Sequence, residues 1–273
     1  MRAERWKCNM LKVKDIVSEI ERLAPPDLAE SWDNVGLMTG DLDQRVTTVF
    51  LCLDVTSDNV QQAIACGADL IVSHHPLIFS PVKRIIEQDV EGSILRNLIR
   101  HDISVYSAHT NLDHADGGMN DMLAKRLSLQ QVRHFTAEEC TDGTGRPLDA
   151  IGRVGTLPAP MEMGDFVELV KDSLGCQTIR SVGDPEEVIK IAALCSGAGG
   201  DGIYAAYHAG ADVYVTADVK HHEAQLAFEL GMNLIDAGHF ETENIICSFM
   251  ADFLESRFQS LNIIASDAQP YFK

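Results

Sequence analysis

The sequence has no apolar run that approaches the roughly 20 residues needed to cross a bilayer, so we expect no membrane-spanning helix. Residues 1–10 carry basic side chains without the apolar stretch that follows them in a secretory signal. We interpret residues 1–9 as a short extension before the first helix, with Met10 as an alternative start. These absences predict a cytoplasmic protein that does not contact a membrane.

Cysteine is present, but without the spacing that gives it a structural role. The seven cysteines are an odd number and include no Cys-x-x-Cys pair. This pattern argues against a disulfide framework and against a zinc site built from thiolates, and it is typical of a reducing cytoplasm. Metal chemistry, if there is any, must therefore come from histidine and carboxylate side chains.

Positive charge is also scarce, with 22 Lys and Arg against 41 Asp and Glu and a formal net charge of −19. Sequence-independent binding of nucleic acid depends on basic surface, so a nucleic-acid partner is disfavoured. An acidic surface also repels anionic substrates. A phosphate-bearing substrate would need bound metal ions as its local positive charge.

The sequence lacks the motifs of several enzyme classes. There is no Gly-x-Ser-x-Gly elbow and no clear setting for a cysteine nucleophile. The glycine-rich segment 196–202 lacks the Gly-Lys-Ser/Thr ending of a P-loop and the spacing of a dinucleotide fingerprint. We interpret it as a tight turn between a strand and a helix, with phosphate binding as the alternative.

What the sequence does contain is metal-ligand chemistry placed after short apolar runs that predict buried strands. Three such runs, 69–72, 103–106 and 233–235, are followed by clusters of imidazole and carboxylate groups. The candidate ligands are His74, His75, Asp113, His239 and Glu243. Ligands in open α/β sheets bind beyond the carboxyl ends of the strands, so these side chains are expected to converge.

The ligand types indicate the class of metal. Imidazole combined with carboxylate suits zinc, iron, nickel or manganese. Because there are five ligands, two of them carboxylates able to bridge, we predict two divalent ions per chain rather than one. The metal-activated water of such a site is a better supported nucleophile than any side chain.

The chain also contains an internal repeat. Residues 51–73 read as a strand, a helix closed by Gly67 and a second strand, and residues 194–216 repeat this order with Gly210. Further on, His109 and Asp113 have the same spacing as His239 and Glu243. We predict a duplicated α/β protein with parallel and antiparallel strands.

Two lobes are expected around a cleft that holds both metal ions. The predicted lobe 1 is residues 10–128 with 236–273, and lobe 2 is residues 129–235. Outside the repeats, apolar spacing predicts helices and strands. The helices are 13–23, 91–100, 120–127, 164–174, 224–230 and 244–258, and the strands are 47–53, 151–157, 178–182 and 189–193.

Each candidate ligand has a simpler interpretation. His74 and His75 could be a structural pair joined by hydrogen bonds. Asp113 could form an Asx-turn with residues 115–118. Glu243 could cap the helix predicted to begin near Asn244. The convergence of all five residues favours the metal site.

Other polar residues near the predicted strand ends have open roles. His109 is either a further ligand or a partner that orients Asp113. His222 is a candidate acid or base, and Thr216 and Asp218 are interpreted as helix caps. Trp32 and Asn34 either line the pocket or pack a turn. His109 and His222 are the candidates for the proton shuttle.

Taken together, the motifs resemble the Nif-three-like (YbgI-like) family, which is named for an NGG-interacting factor. The resemblance runs from Met10 through essentially the whole chain. It rests on residues 31–37, 73–79, 108–113, 196–200, 216–222 and 236–243. Members are often labelled "GTP cyclohydrolase 1 type 2 homolog".

The resemblance has several implications. It places the family's dinuclear metal ligands on His74, His75, Asp113, His239 and Glu243, while His109 is a motif position outside that set. It also implies a homo-oligomer, a toroidal hexamer with the metal sites facing inward. Some relatives carry an inserted middle domain, for which residues 127–152 are too few.

Two functions follow from these residues. The first is a dinuclear metal-dependent hydrolase, of the GTP cyclohydrolase type by family resemblance, with Glu243 among the catalytic residues and a nucleotide or another small molecule as substrate. The second is a non-catalytic protein that stores or delivers metal, or a metal-stabilised oligomeric scaffold. A hydrolase keeps open coordination positions, whereas a structural site is closed.

Overall fold

A computed structural model describes residues 10–148 and 150–272 of the chain. The predicted extension, residues 1–9, lies outside the described residues. The chain forms two compact units: unit 1 runs up to Asn111 and includes Cys247–Ala268, and unit 2 is Leu112–Ile246 with the residues after 268. No helix in the described part of the chain is long and apolar enough to cross a membrane.

The units divide the chain at other points than the predicted lobes. Residues 112–128 and 236–246, expected in lobe 1, belong to unit 2. The physical reason is packing, because the helices that these segments form lie against the central strands of the unit 2 sheet.

Unit 1 contains a five-stranded sheet and the helices that precede or connect its strands in sequence. Its strands are β1 (Gly36–Thr39), β2 (Thr48–Cys52), β3 (Leu70–Ser73), β4 (Ser104–Ser107) and β11 (Asn262–Ala265). Its helices are α1 (Val13–Leu23), α2 (Ser57–Ala65) and α3 (Val90–Arg100), and α10 (Ile245–Glu255) begins just before the second segment of the unit. A 3₁₀ turn spans Pro26–Leu28.

The strand order in this sheet is β1-β4-β3-β2-β11. β1 is antiparallel to β4, and the other neighbours are parallel. β2, β3 and β4 are buried along their whole length, as expected for parallel strands covered on both faces. The carboxyl ends of β3 and β4 therefore lie side by side, which places the residues after Ser73 and Ser107 next to each other.

Unit 2 contains a six-stranded mixed sheet. Its strands are β5 (Gln130–His134), β6 (Arg153–Glu162), β7 (Arg180–Val182), β8 (Val188–Ala198), β9 (Val213–Ala217) and β10 (Asn233–Asp236). Its helices are α5 (Met119–Arg126), α6 (Met163–Leu174), α7 (Ile203–His208), α8 (His221–Glu229) and α9 (His239–Glu243). α4 (Thr110–His114) contains the boundary between the units.

The strand order in the second sheet is β5-β6-β8-β9-β10-β7. β8, β9 and β10 are parallel, and the remaining pairs are antiparallel. Apolar clusters cover the sheet, one built around Phe166 and Leu194 and another around Ile203 and Tyr214. The carboxyl ends of β9 and β10 meet at one edge, where α9 packs against β8 and β9.

Most helix bounds and helix-end glycines predicted from the local sequence agree with the structure. α1 has the predicted bounds, and Gly67 and Gly210 have φ values of 67° and 73°, the left-handed conformation that follows a helix end. The cap of α2 is Thr56, whose side chain accepts a hydrogen bond from the Asn59 amide. Between α5 and β6, the described residues form β5 and a turn-rich loop.

Candidate metal centre

His74 and His75 follow β3 directly, and their rings lie together. The ring centroids are 5.2 Å apart at an angle of 41°. The chain leaves the strand after Ser73, so that both side chains turn to the same side although neighbouring residues of a strand alternate. His74 is fully buried, and its Nδ1 lies 2.8 Å from the carbonyl oxygen of Ala108.

His109 completes this cluster from the end of β4. Its ring centroid lies 5.2 Å from that of His74 and 5.6 Å from that of His75. One nitrogen from each of the three rings lies within 4.8 Å of the others, so that together they could hold a metal ion. The sequence left His109 open as a ligand or an orienting partner, and the structure places it with the histidines of unit 1.

Carboxylates orient two of these rings. Asp54 Oδ1 lies 2.7 Å from Nδ1 of His75, and Asp33 Oδ1 lies 2.9 Å from Nδ1 of His109. A metal-binding histidine commonly donates its other ring N–H to a carboxylate or a carbonyl, which fixes the tautomer. The contacts at Nδ1 therefore leave Nε2 of each ring as the atom that can bind a metal or exchange a proton.

Asp33 is the most strongly perturbed acid of this cluster. Burial opposes its ionisation, but hydrogen bonds from His109 and Thr110 outweigh burial and lower the pKa of Asp33 to about 2. The Thr110 amide donates to Oδ2 at 3.1 Å. Asp33 is thus an anion at neutral pH, and it fixes both the ring and the backbone that follow β4.

In unit 2, His239 and Glu243 are one helical turn apart in α9. Nε2 of His239 lies 2.8 Å from Oε2 of Glu243. Glu243 is buried, and Nδ1 of His239 lies 2.8 Å from Oδ2 of Asp218. Glu243 is the last residue of α9, so it is not the helix cap that one interpretation of the sequence predicts.

Asp218 has a different role from the predicted one. The residue that caps α8 is Lys220, whose backbone N–H donates to Glu223, so Asp218 and Thr216 are not helix caps. Asp218 instead orients His239 and has a φ of 53°, in the left-handed region that non-glycine residues seldom adopt. The Thr216 hydroxyl bridges the Gly197 carbonyl and the Gly199 amide.

Asp113 lies in α4, and its side chain is buried. The hydroxyl of Ser196 donates to its Oδ1 at 3.4 Å, and the Asn120 side chain donates to its backbone carbonyl at 3.1 Å. The loop after Asp113 is held by Arg153, which donates to the carbonyls of His114 and Ala115. Asp113 is therefore fixed within unit 2 by residues of β8, α5 and β6.

The glycine-rich segment 196–202 packs against carboxylates. A Cβ at Gly197 would overlap Oε1 of Glu243, and a Cβ at Gly200 would overlap the carboxylate of Glu223. The glycines allow the backbone to approach these side chains closely. Negative charge in these positions argues against a phosphate cradle and favours the tight turn.

His222 lies on α8, and its side chain is 75% exposed. Its Nε2 is 3.9 Å from Glu223. The sequence proposed His222 as a proton shuttle, and this role stays a prediction. Asn34 donates from its side-chain amide to the Ile78 carbonyl, so it pins the loop that carries Trp32.

Buried cysteines among the described residues have raised pKa values. Burial raises the pKa of Cys195 well above its usual range, and the charges of Asp113 and Glu243 raise it further. Burial also raises the pKa of Cys247 to about 12 and that of Cys176 to about 11. The protonated form of these three thiols is therefore favoured in the metal-free protein, which makes them poor nucleophiles.

The sequence analysis missed two residues of the site, Asp33 and Asp54, and interpreted a third, Asp218, as a helix cap. Asp54 and Asp218 follow β2 and β9, so the strand-end rule that found the ligands could have found these two acids. Asp33 lies in a loop before β1, and its contact with His109 joins residues far apart in sequence. No local pattern reveals that contact.

The fold and the donor groups define a mixed α/β protein with two sheets, in which histidine and glutamate groups could hold metal. The family model of Duf34/NIF3 (NGG1p interacting factor 3) matches residues 11–271. The chain therefore belongs to the Duf34/NIF3 family, as the motifs indicated.

Individual relatives agree with this membership. A Clostridium perfringens protein named "GTP cyclohydrolase 1 type 2 homolog" is 36% identical over 250 residues, which cover 92% of this chain and 94% of that protein. The crystal structure of a Bacillus cereus protein related to NIF3 has a TM-score of 0.86 at 28% identity, over 97% of this chain and 99% of that one. The crystal structure of a hypothetical protein from Staphylococcus aureus has a TM-score of 0.85 at 31% identity, over 97% of this chain and 99% of that one.

Proposed function

We propose that the protein is a dinuclear metal-dependent hydrolase whose ligands are His74, His75, Asp113, His239 and Glu243. The observation that carries the proposal is the set of contacts made by the Nδ1 atoms of the imidazoles. Nδ1 of His74 meets a carbonyl, and Nδ1 of His75 and His239 meet carboxylates, the arrangement typical of metal-binding histidines. The donor set of imidazole and carboxylate fits zinc, iron, manganese or nickel.

Two such ions would acidify water and polarise an electrophilic substrate. The residues of the chain supply the remaining functions. His109, held by Asp33, is positioned beside His74 and His75 to move a proton, and His222 is the second candidate for that role. Glu243 is a ligand of the proposed centre and a catalytic residue through it.

The name shared by the relatives suggests the substrate to test. For GTP, water would add at C8 of the purine and open the five-membered ring to a formamide, and a second water would release formate. The acidic chain gives little electrostatic attraction for a triphosphate, so the proposed ions would have to supply the positive charge.

The alternative function is metal storage, metal delivery or a metal-stabilised scaffold without catalysis. It is favoured by the burial of the donors, since His74, Asp113 and Glu243 are each less than a tenth exposed. Closed sites are typical of structural metal, whereas catalytic sites keep a position open for water.

We further propose a homo-oligomer, a toroidal hexamer, located in the cytoplasm. Cys52, Cys66, Cys176 and Cys195 are free thiols, which suits a reducing compartment. Light scattering of the metal-loaded and metal-free protein tests the assembly. A monomer in both states would contradict the hexamer.

The function is tested by loading the purified protein with manganese, zinc, iron or nickel in turn and following GTP by liquid chromatography and mass spectrometry. We expect formate and a ring-opened product, both lost in Glu243→Gln. Tight binding of two ions without turnover would remove GTP as the substrate and support the alternative. If no metal binds, both functions fall.

The ligand set is tested by metal stoichiometry. The double variants His74→Ala/His75→Ala and His239→Ala/Glu243→Gln remove donors from unit 1 and unit 2 respectively. If all five residues are ligands, each double variant must lower the metal content of the chain. If one of them keeps two ions at unchanged affinity, its residues are not ligands.

A further inference from the structure

Trp32 and Phe79 form an exposed aromatic pair beside the histidines of unit 1. Their side chains are 56% and 54% exposed, and their ring centroids lie 6.0 Å apart. The Trp32 ring also contacts His109 edge-on, with a centroid distance of 6.2 Å and an angle of 73°. Two large apolar rings thus face solvent next to the imidazole cluster.

The loop that carries Trp32 is anchored on both sides. Before Trp32, the Glu30 amide donates to the Thr110 hydroxyl at 3.0 Å. After it, Asp33 binds His109 and Thr110, and Asn34 donates to the Ile78 carbonyl. These bonds hold Trp32 in place without help from its ring, so packing of the turn does not explain the indole.

We propose that Trp32 and Phe79 bind the flat heteroaromatic ring of the substrate by stacking, and so place it beside His109. The choice of a purine-type ring as the substrate class rests on the proposed function. The binding of a flat ring by Trp32 and Phe79 does not depend on it. Aromatic side chains stack on any base, since every base presents a π-face. The edge-on imidazole of His109 would border the ring.

A second copy of the chain is a poorer occupant for this pair. Two half-exposed aromatic rings offer roughly 200 Å² of apolar surface. A stable protein interface buries about 800 Å² on each partner. The aromatic pair matches one or two fused rings in size, not a protein surface.

The structure also leaves space for the substituent of the ring. Phe79 lines a cavity of about 460 Å³ in unit 1, together with Leu77, Lys83 and Arg84. Arg84 is paired with Asp89 at 2.8 Å. A ring stacked on Phe79 could therefore carry a polar substituent into this cavity.

The test uses Trp32 as its own reporter, because the only other tryptophan is Trp6. In a Trp6→Phe background, metal-free protein is titrated with guanosine and the indole fluorescence is followed. Guanosine lacks phosphates, so its binding does not depend on contacts between metal and phosphate. We expect saturable quenching by guanosine and none by ribose.

Three variants make the test specific. Phe79→Leu should weaken guanosine binding roughly tenfold, the scale of losing one stacking partner. The matched control is Phe228→Leu, which removes another exposed phenylalanine from unit 2 and should leave the affinity unchanged. Trp32→Leu removes the reporter, so its loss of binding is measured by calorimetry, and circular dichroism checks that it folds.

Outcomes for this inference and for the proposed function are separable. Absence of saturable quenching up to the solubility limit of guanosine overturns the stacking role, even if the loaded protein hydrolyses GTP. Equal affinities of Phe79→Leu and Phe228→Leu overturn it as well. A change of oligomeric state in Trp32→Leu assigns the pair to an interface. Quenching without turnover supports the ring site and contradicts only the hydrolase.

Discussion

The carboxylate of Asp218 lies 2.8 Å from Nδ1 of His239, on a backbone with a φ of 53°. Such a conformation costs about 1–3 kcal/mol in a residue other than glycine and is found where the structure holds a functional side chain in place. Here it presents the acid to the histidine. The imidazole thereby lies between two carboxylates, those of Asp218 and Glu243.

The first prediction concerns this pair. Asparagine tolerates the left-handed region as aspartate does, so Asp218→Asn removes the charge without changing the backbone. We expect metal affinity to fall about 10- to 100-fold, the usual effect of losing an acid that orients a ligand. Competition with a chromogenic chelator measures it. Asp172→Asn, an exposed acid on α6, is the control, and equal affinities in the two variants would contradict the orienting role.

A second prediction compares two glycines with similar backbones. Gly197 and Gly210 have φ values of 60° and 73°, so alanine at either position strains the chain by about 1–2 kcal/mol. At Gly210 a Cβ meets nothing within 4 Å, whereas at Gly197 it overlaps Oε1 of Glu243. Both variants should lose stability in urea unfolding, and Gly197→Ala should lose more because of this overlap. Only Gly197→Ala should also lose metal affinity, and unchanged affinity there would argue against Glu243 as a ligand.

The third prediction concerns Arg153, which is 1% exposed. It donates to Asp121 at 2.7 Å and to three backbone carbonyls. Arg153→Met leaves a partly buried carboxylate and these carbonyls without their donor, so the free energy of unfolding should fall by about 3–5 kcal/mol.

The matched control for Arg153 is Arg133, which makes a bidentate pair with Glu139 at 2.8 Å but is 46% exposed. Arg133→Met should change stability by less than about 1 kcal/mol, because water replaces an exposed partner easily. Urea unfolding of both variants gives the comparison. Similar losses in the two would show that burial does not decide the strength of these pairs.

The fourth prediction concerns acid stability in metal-free protein. The pKa of Asp33 is lowered to about 2 in the folded state, so the stabilisation from its charge is complete above its unfolded pKa of about 4. It is lost as the pH falls from about 4 to about 2, because the unfolded chain takes up the proton first; the loss amounts to about 2 kcal/mol.

Urea unfolding at several pH values tests this dependence. Asp33→Asn should remove about 2 kcal/mol of the pH dependence in that window, since asparagine does not titrate. Asp252→Asn, an exposed acid on α10, is the control and should follow the wild type. Parallel curves for Asp33→Asn and wild type would contradict the stabilisation of the charged form.

The sequence predicted most elements with a local cause. α1 has strong apolar periodicity, and β2, β3 and β4 are continuous apolar runs. β5 was missed because Gln130–His134 is almost wholly exposed and polar, which is typical of an edge strand. β11 has only four residues, and its pairing with β2 is not visible in local sequence.

The residues of the candidate site were also predictable where their position has a local cause in the sequence. His74 and His239 follow strands, so the rule for strand ends located them. Asp218 was misinterpreted because an acid shortly before a helix is also a common cap, and only the geometry separates the two roles. The exposure of Trp32 is likewise visible only in the folded chain, because the residues around it in the sequence are equally compatible with a buried turn.

The position of β11 has a consequence for synthesis on the ribosome. β2 lies between β3 and β11, and its five residues are buried. Until residues 262–265 emerge, the nascent chain holds β2 with one side unpaired, an apolar edge that can template aggregation. The main segment of unit 2, residues 112–246, is complete before that point. Unit 1, which begins first, therefore closes only after the main segment of unit 2 is complete, and its sheet edge stays open to aggregation for most of translation.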